Sequence, residues 1–395
     1  MKKLICLVLA LLMMASAAGA DTVINSTENR HITPKAVGLN EVPEDISPTT
    51  GRVLSSLPVP KSFAGLALTG RYMPMLVQID NTNGGVTYYD EGGKKRTRNP
   101  WGATYVDIVY ESPLYESGET RLSFLYSDVI PSAVGPVRSA RIGHAWLREE
   151  WDCGFMFYGY QSAAKTNVLA EFERYGADKK GVLFSGTVGS NKAWKQYYTK
   201  RKNLSTPHDK NGNAAAMTAL IPNSHTAPNH AFLFTEEEME GDTATVINVN
   251  YNHFAYNNTL EYNPRDGQYY RYVRDDHILW TDLDTQTAIT FSNVIVQYVH
   301  VDWFGTNAPM MQNVVDSSNM KRFSNKAKVA EGNADFFLNG QHVAGFWQRK
   351  GMSDRTVFYD ADGNELALHP GRTLIIMFPR GDGKYGDRER YVSYR

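Results

Sequence analysis

Cysteine is nearly absent: the 395 residues hold 2, Cys6 and Cys153. Cys6 falls inside an N-terminal apolar run, which leaves one thiol for the folded body. A single thiol excludes an intramolecular disulfide, so stability must come from packing. An excess of either charge is also missing, with 41 basic against 42 acidic residues and a formal net charge of −1. That balance excludes the polybasic footprint of a nucleic-acid binder. No repeat of fixed period is visible. Beyond the N-terminus no apolar run approaches the about 20 residues of a spanning helix. What is present is a core: 42% hydrophobic and 21% charged residues exclude disorder over most of the length. Aromatics reach 12%, with 23 tyrosines, a bias toward strands and stacking surfaces.

The first twenty residues read as a signal peptide. Lys2 and Lys3 form the positive region, Leu4 to Met14 the apolar run, and Ala18-Gly19-Ala20 a small-residue cleavage site. Cleavage after Ala20 yields an extracytoplasmic protein, secreted or associated with the cell wall, whose net charge is two units more negative. A lipid anchor requires cysteine immediately after the cleavage site. Asp21 stands there, so the anchor is disfavoured.

Residues 21–65 carry Pro34, Pro43, Pro48, Pro58 and Pro60 among polar and small residues, the composition of an extended linker. Strand-like runs at Met75–Asp80, Val106–Glu111, Arg121–Tyr126, Gly154–Gly159 and Val182–Phe184 then alternate with helical spacings. Those spacings lie at Ala140–Glu150 (Ser139 as N-cap), Val168–Phe172 and Asn191–Lys202. The expectation is an α/β (α+β) layered N-terminal domain over 66–235. From residue 240 to 385 the helical period disappears. Strand-like runs at Ala244–Asn250, Gln268–Val273, Val294–Val301, Lys326–Val329, His342–Gln348, Thr356–Tyr359 and Thr373–Phe378 predict a mainly β C-terminal domain. Asp266-Gly267 and Asp362-Gly363 mark its turns.

Chemistry concentrates in residues 107–141. One strand delivers Glu111, a turn carries Glu116, Ser117, Gly118 and Glu119, and Arg121 follows. Gly135-Pro-Val-Arg138-Ser-Ala-Arg141 then places two arginines at a helix start. Free backbone N–H groups and the positive dipole end favour an anion there. Guanidinium forks could bind phosphate or carboxylate bidentately. The alternative is internal pairing of Arg138 and Arg141 with Glu111, Glu116 or Glu119. Glu111 and Glu116 also offer two carboxyls for glycoside cleavage, a use that requires them to flank one bond.

Other motifs have plain explanations. Ser162-Ala-Ala-Lys165 matches Ser-x-x-Lys, but the Lys-Thr-Gly partner is absent and Ser317-Ser-Asn319 alone means little. A helix capped near Ser162 explains it. His208, His225 and His230 lack the spacing of helix-borne metal ligands and read as loop histidines, so neither metal nor cofactor is expected. Asp360 to Glu365 has its glycine at the wrong position for a calcium loop and reads as a hairpin turn. Gly181 to Lys192 lacks a phosphate-loop ending. Arg380-Gly-Asp382 reads as a surface loop.

Several of these blocks resemble the YerB-like lipoproteins, a Gram-positive family built on a domain of unknown function. They are Val106-Asp-Ile-Val-Tyr-Glu111, Gly118-Glu-Thr-Arg121 and Gly135-Pro-Val-Arg-Ser-Ala-Arg141. Ile79-Asp-Asn81, Asn99-Pro100, Pro207-His208 and Tyr269-Tyr-Arg271 are similar too, as are Asn293–Gln297, Trp347 and Pro370-Gly371 in the second half. The resemblance implies a two-part bacterial cell-envelope protein and no established activity. Glu119 stands where the family pattern suggests an apolar residue.

The sequence therefore points to an exported, non-catalytic module for an anionic cell-wall ligand. Arg138, Arg141 and Arg121 would hold the anion, and Glu111, Asn81 and His208 would complete the site. The alternatives are a wall hydrolase using Glu111 and Glu116, and a scaffold that binds another envelope protein through its β domain.

Overall fold

The structure, a computed structural model, describes residues 20–28, 30, 32–163, 166–188, 193–303, 309–312, 330–380 and 390–395. The expected signal peptide before Ala20, Lys165, Ser317–Asn319, Lys326–Val329, and Gly381 and Asp382 lie outside these residues. Strand makes up 35% of the chain and helix 13%.

The strands that matter are β1 (Met75–Ile79), β2 (Ile108–Pro113), β3 (Thr120–Tyr126), β4 (Gly154–Phe157) and β5 (Leu183–Ser185) in the first half. The second half supplies β6 (Val246–Asn250), β7 (Asn258–Asn263), β8 (Gln268–Val273), β9 (Asn293–Trp303) and β10 (Ala330–Leu338). After these come β11 (Gln341–Arg349), β12 (Thr373–Pro379) and β13 (Tyr391–Tyr394). The principal helices are α1 (Ile142–Trp151) and α2 (Val168–Arg174).

Both halves of the sequence enter one twelve-stranded sheet, whose interior order is β11-β10-β9-β12-β2-β3-β1-β4-β5. The join is a parallel pairing of β12 with β2, in which Ile375 faces Tyr110. Every residue of β1, β2 and β3 is buried, polar ones included. That is the pattern of a sheet covered on both faces. One cover is helical: Ile142, Trp146 and Trp151 of α1 and Phe172 of α2 pack on Leu76, Leu125, Phe155 and Ile375. The other is a second sheet that includes β13-β6-β7-β8 in that order, whose Ile247, Leu260 and Tyr269 meet Val77, Val109 and Phe124. Burial alternates along β8, as expected for a strand with one dry face.

The prediction of mainly β structure in the second half agrees with these strands, and Gly267 turns between β7 and β8 at φ 69°. The first half is less helical than expected. The expected helix over Asn191–Lys202 is a 3-10 turn, Ala193–Tyr197, followed by a strand, Tyr198–Lys200. Tyr198 and Thr199 favour extended backbone, and the Tyr198 hydroxyl donates to the Phe184 carbonyl at 2.6 Å. Arg141, rather than Ser139, is the N-cap of α1. The next helix starts at Val168, capped by the Asn167 side chain instead of near Ser162.

The described residues of the 21–65 segment, which include a 3-10 turn at Leu54–Ser56, are tied to the body. Thr22–Val23 pairs with β13, and Arg30 holds Asp335 at 3.1 Å. Further along, Ser47 and Thr50 each donate to Asp128 at 2.6 Å, while the Arg52 guanidinium contacts Asp107 at 3.0 Å and Asp128 at 3.5 Å.

Candidate functional site

The strand pair β2–β3 carries charged side chains on both faces of the main sheet, because alternate residues point to opposite sides. Glu111 shares its face with Val109 and looks toward the second sheet. Arg121 shares its face with Leu125 and looks toward α1.

On the second-sheet side Glu111 is sealed. It meets Arg271 of β8 at 2.7 Å, and both side chains have no exposed surface. Thr120 donates to the carboxylate at 2.7 Å and Asn258 approaches both oxygens at 3.4 Å. Asn258 also accepts from Arg271 Nε at 2.7 Å, and the Arg271 guanidinium lies 4.5 Å from the Trp280 ring centre. Asn81 joins this network by donating to Thr120 at 2.7 Å. The expected role of Glu111 and Asn81 in orienting a ligand beside Arg138 is therefore not what the geometry provides: both lie on the other side of the sheet. A catalytic Glu111 would need access to a substrate bond, which its burial denies. Glu116 sits in the turn after β2, where its backbone oxygen accepts from Arg390.

On the helix side the arrangement differs. β1 leads directly into Asp80, and Arg138 crosses beside the strand because the Arg138 N–H donates to the Gln78 carbonyl at 2.9 Å. Arg138 Nε stands 3.4 Å from Asp80, and His208 Nδ1 hydrogen-bonds the other Asp80 oxygen. Arg121 donates to the Ser139 carbonyl at 3.3 Å, and Arg141 to the Ala140 carbonyl at 3.0 Å. The Nε atoms of Arg121 and Arg141 are buried without an acceptor. The structure thus brings Arg121, Arg138, Arg141 and His208 together as the sequence suggested.

The electrostatics record an excess of cations. Burial, then the Arg138 and Arg141 charges, push Arg121 down to about 9. Burial and Arg138 also lower Arg141, against an opposing pull from Tyr115. Arg98, lowered chiefly by burial, feels Arg138 as well. Burial would raise the Asp80 carboxyl, but the His208 hydrogen bond and the charges of Arg138 and Arg121 hold it well below the usual carboxylate range. His144 is driven far below the ordinary imidazole value by burial and by Arg121 and Arg141. It is thus neutral, and its Nδ1 accepts the Arg141 N–H at 3.0 Å to cap α1. Arg138 thus contacts Asp80, whose charge also reaches Arg121 and Arg98, and Arg141 at the start of α1 adds a further guanidinium beside Arg138. Such a cluster favours an incoming anion by adding the missing negative charge.

Sequence reasoning missed Asp80, Arg98 and Arg271. Asp80 lay beside Asn81 in a recognised block, and Arg98 in a loop that reads simply as charged. The remaining histidines are structural: His225 and His230 bond the Asp152 and Glu150 carbonyls at 2.8 and 2.7 Å. Among the described residues no group of three or more His, Cys, Asp or Glu is placed to hold a metal ion. Nor, among the same residues, is any helix long and apolar enough to cross a membrane.

Comparison with known proteins agrees with the two-part organisation. Residues 91–215 match the N-terminal domain, and residues 247–375 the C-terminal domain, of a protein of unknown function, DUF3048. The chain is 26% identical over 290 residues to a Bacillus subtilis (strain 168) protein named "Putative lipoprotein YerB", covering 72% of this chain and 78% of that one. The crystal structure of YerB from Bacillus subtilis superposes with a TM-score of 0.60 at 19% identity, over 84% of this chain and 96% of the other. That likeness shows a shared fold.

Proposed function

The chain belongs to the two-domain DUF3048 family, and from that premise we propose that it is a cell-envelope binding module for an anionic ligand. The observation that carries this reading is the charge imbalance on the helix side of the main sheet. Arg121, Arg138 and Arg141 influence one another there, Arg98 feels Arg138, and the Asp80 charge reaches Arg98, Arg121 and Arg138. A purely structural cluster would be neutralised, because leaving like charges together in a buried place is costly. A bound phosphate or carboxylate completes it. Arg138, whose side chain is 21% exposed, is the entry point. Asp80, itself held by His208, fixes the orientation of Arg138.

The leader read from the sequence and the name of the Bacillus subtilis relative support placement at the envelope. The wall itself is an anionic polymer surface and so a suitable target. The test is pelleting of the protein with purified sacculi at low and high salt. Binding should be present at low salt, fall with ionic strength, and be lost with Arg138→Ala plus Arg141→Ala in a folded protein. Unchanged binding by that double variant would end the proposal. Release of soluble wall fragments into the supernatant would instead make the protein a hydrolase.

A further inference from the structure

The turn that closes β1 serves two places at once. Its Asp80 end faces the arginines, and Thr82 bonds back to the same carboxylate at 2.8 Å. Its Asn83 end turns toward another region. There the Asn83 backbone N–H donates to the Tyr256 hydroxyl at 3.3 Å, and its amide donates to the Tyr88 hydroxyl at 2.8 Å. Asn83 adopts φ 55°, a left-handed conformation that asparagine tolerates better than most residues. Tyr256 in turn feels the charges of Asp80 and Arg121. The aromatic region and the arginine cluster are thus neighbours joined by one rigid turn.

Beyond Asn83 lies an open groove of about 690 Å³, lined by Tyr88, Tyr89, Glu91, Phe254 and Arg274 among others. That volume falls within the roughly 300–1,000 Å³ of small-molecule sites. Two of its rings are unusually exposed, Tyr89 at 68% and Phe254 at 55%. The Arg274 guanidinium packs between Tyr88 and Phe254, 4.9 and 5.2 Å from their ring centres, and Asp276 fixes it at 2.8 Å. His253 stacks on Phe254 at 5.3 Å. Tyr88 and Phe254 are therefore held in place, Phe254 although it faces solvent. Their cation position is already filled by Arg274, which argues against an ammonium ligand.

We infer that this groove binds a pyranose sugar, so that the ligand class of the protein is an anionic glycan with its sugar here and its charge on the arginines. A pyranose has an apolar C–H face and a rim of hydroxyls. The exposed Tyr89 ring suits the first through the negative face of its π system, with Phe254 as an apolar wall beside it. The Asn83 amide and the Glu91 carboxylate supply hydrogen-bonding groups for the second. A protein partner would be expected to meet a flatter, less acidic aromatic patch. The glycan assignment rests on the anion-site reading, whereas the sugar groove is tested independently of it.

The experiment is an array of neutral oligosaccharides probed with the intact protein, followed by calorimetric titration of the best binder. Binding is expected for at least one neutral sugar, with little change in 1 M salt. Tyr89→Ala and Phe254→Ala, both surface changes that leave the fold intact by circular dichroism, should weaken it about tenfold or more. Arg138→Ala plus Arg141→Ala should leave it unchanged, while abolishing binding of pyrophosphate used as the anionic probe. Absence of any neutral binder overturns the sugar groove, as does a binder indifferent to Tyr89 and Phe254. Sugar binding with no pyrophosphate binding overturns the anion site and the joint glycan assignment.

Discussion

The two faces of β2 and β3 carry the same chemistry in different proportions. On one, a single glutamate meets a single arginine, and amide and hydroxyl donors complete the carboxylate's shell. On the other, Asp80 faces Arg138, and neighbouring Arg121 and Arg141 are lowered by burial and then by the guanidiniums around them. Both sites contain buried arginine, so burial alone does not separate structure from function. Compensation does. The Glu111–Arg271 pair is closed and fastens the second sheet to the main one. The Asp80 cluster is left with more cations than anions, the imbalance on which the proposed anion site rests.

The largest expected effect breaks the closed site. Arg271→Ala leaves Glu111 buried and unpaired, and Glu111→Ala does the same to Arg271. Either should cost about 3–5 kcal/mol in urea unfolding. The double replacement Glu111→Leu with Arg271→Met should cost distinctly less than either single change, because no orphaned charge remains. Equal costs would mean that the pair is not the lock described.

A third cluster inverts the imbalance. Asp107 and Asp128 are both buried and share Arg52, and burial followed by the Asp128 charge raises the Asp107 carboxyl to about 7. With its folded value above the unfolded one near 3.8, the folded chain holds the extra proton between those limits. This contribution to stability is thus complete below about pH 4 and is lost as pH rises toward 7. The slope should be on the order of 1 kcal/mol per pH unit. Asp107→Asn should flatten that slope in denaturation curves taken from pH 4 to 7. Residues 47–52, which hang on these carboxylates, should become more sensitive to proteolysis over the same range.

The open site should respond to neutralisation in the opposite direction from the closed one. Arg121→Met removes one repelling charge and keeps the side-chain volume. It should raise stability by about 1 kcal/mol while weakening binding of sacculi. A fall in stability comparable to that of Arg271→Ala would place Arg121 among the structural arginines and erase the distinction.

How much of this was readable beforehand follows from what each feature depends on. Local pattern exposed many of the strands, though not β7, β10 or β13, together with the Gly135–Arg141 block and the arginines at the start of α1, because period and motif are properties of short segments. The common sheet was not readable, since β12 and β2 are more than 250 residues apart and their parallel pairing leaves no mark in either strand. Nor was the partition of Glu111 from Arg121. Their positions on opposite faces follow from the register of β2 with β3, where Glu111 pairs with Leu122 and Ser112 with Arg121. The helix expected at Asn191–Lys202 failed because Tyr198 finds carbonyl acceptors on β4 and β5, a tertiary gain that outweighs local spacing.

The smallest expected effect concerns Glu116, the other glutamate of the acid–base alternative. The residue is half-buried in the turn after β2. The contact recorded there, with Arg390, uses its backbone oxygen, which no side-chain replacement removes. Glu116→Gln should therefore change unfolding free energy by less than about 0.5 kcal/mol and leave sacculus binding as it was. Mass spectrometry of the supernatant should show no wall fragments from either protein. Fragments released by the parent and not by Glu116→Gln would reverse the comparison, placing the chemistry at the turn and giving the arginines the task of holding its substrate.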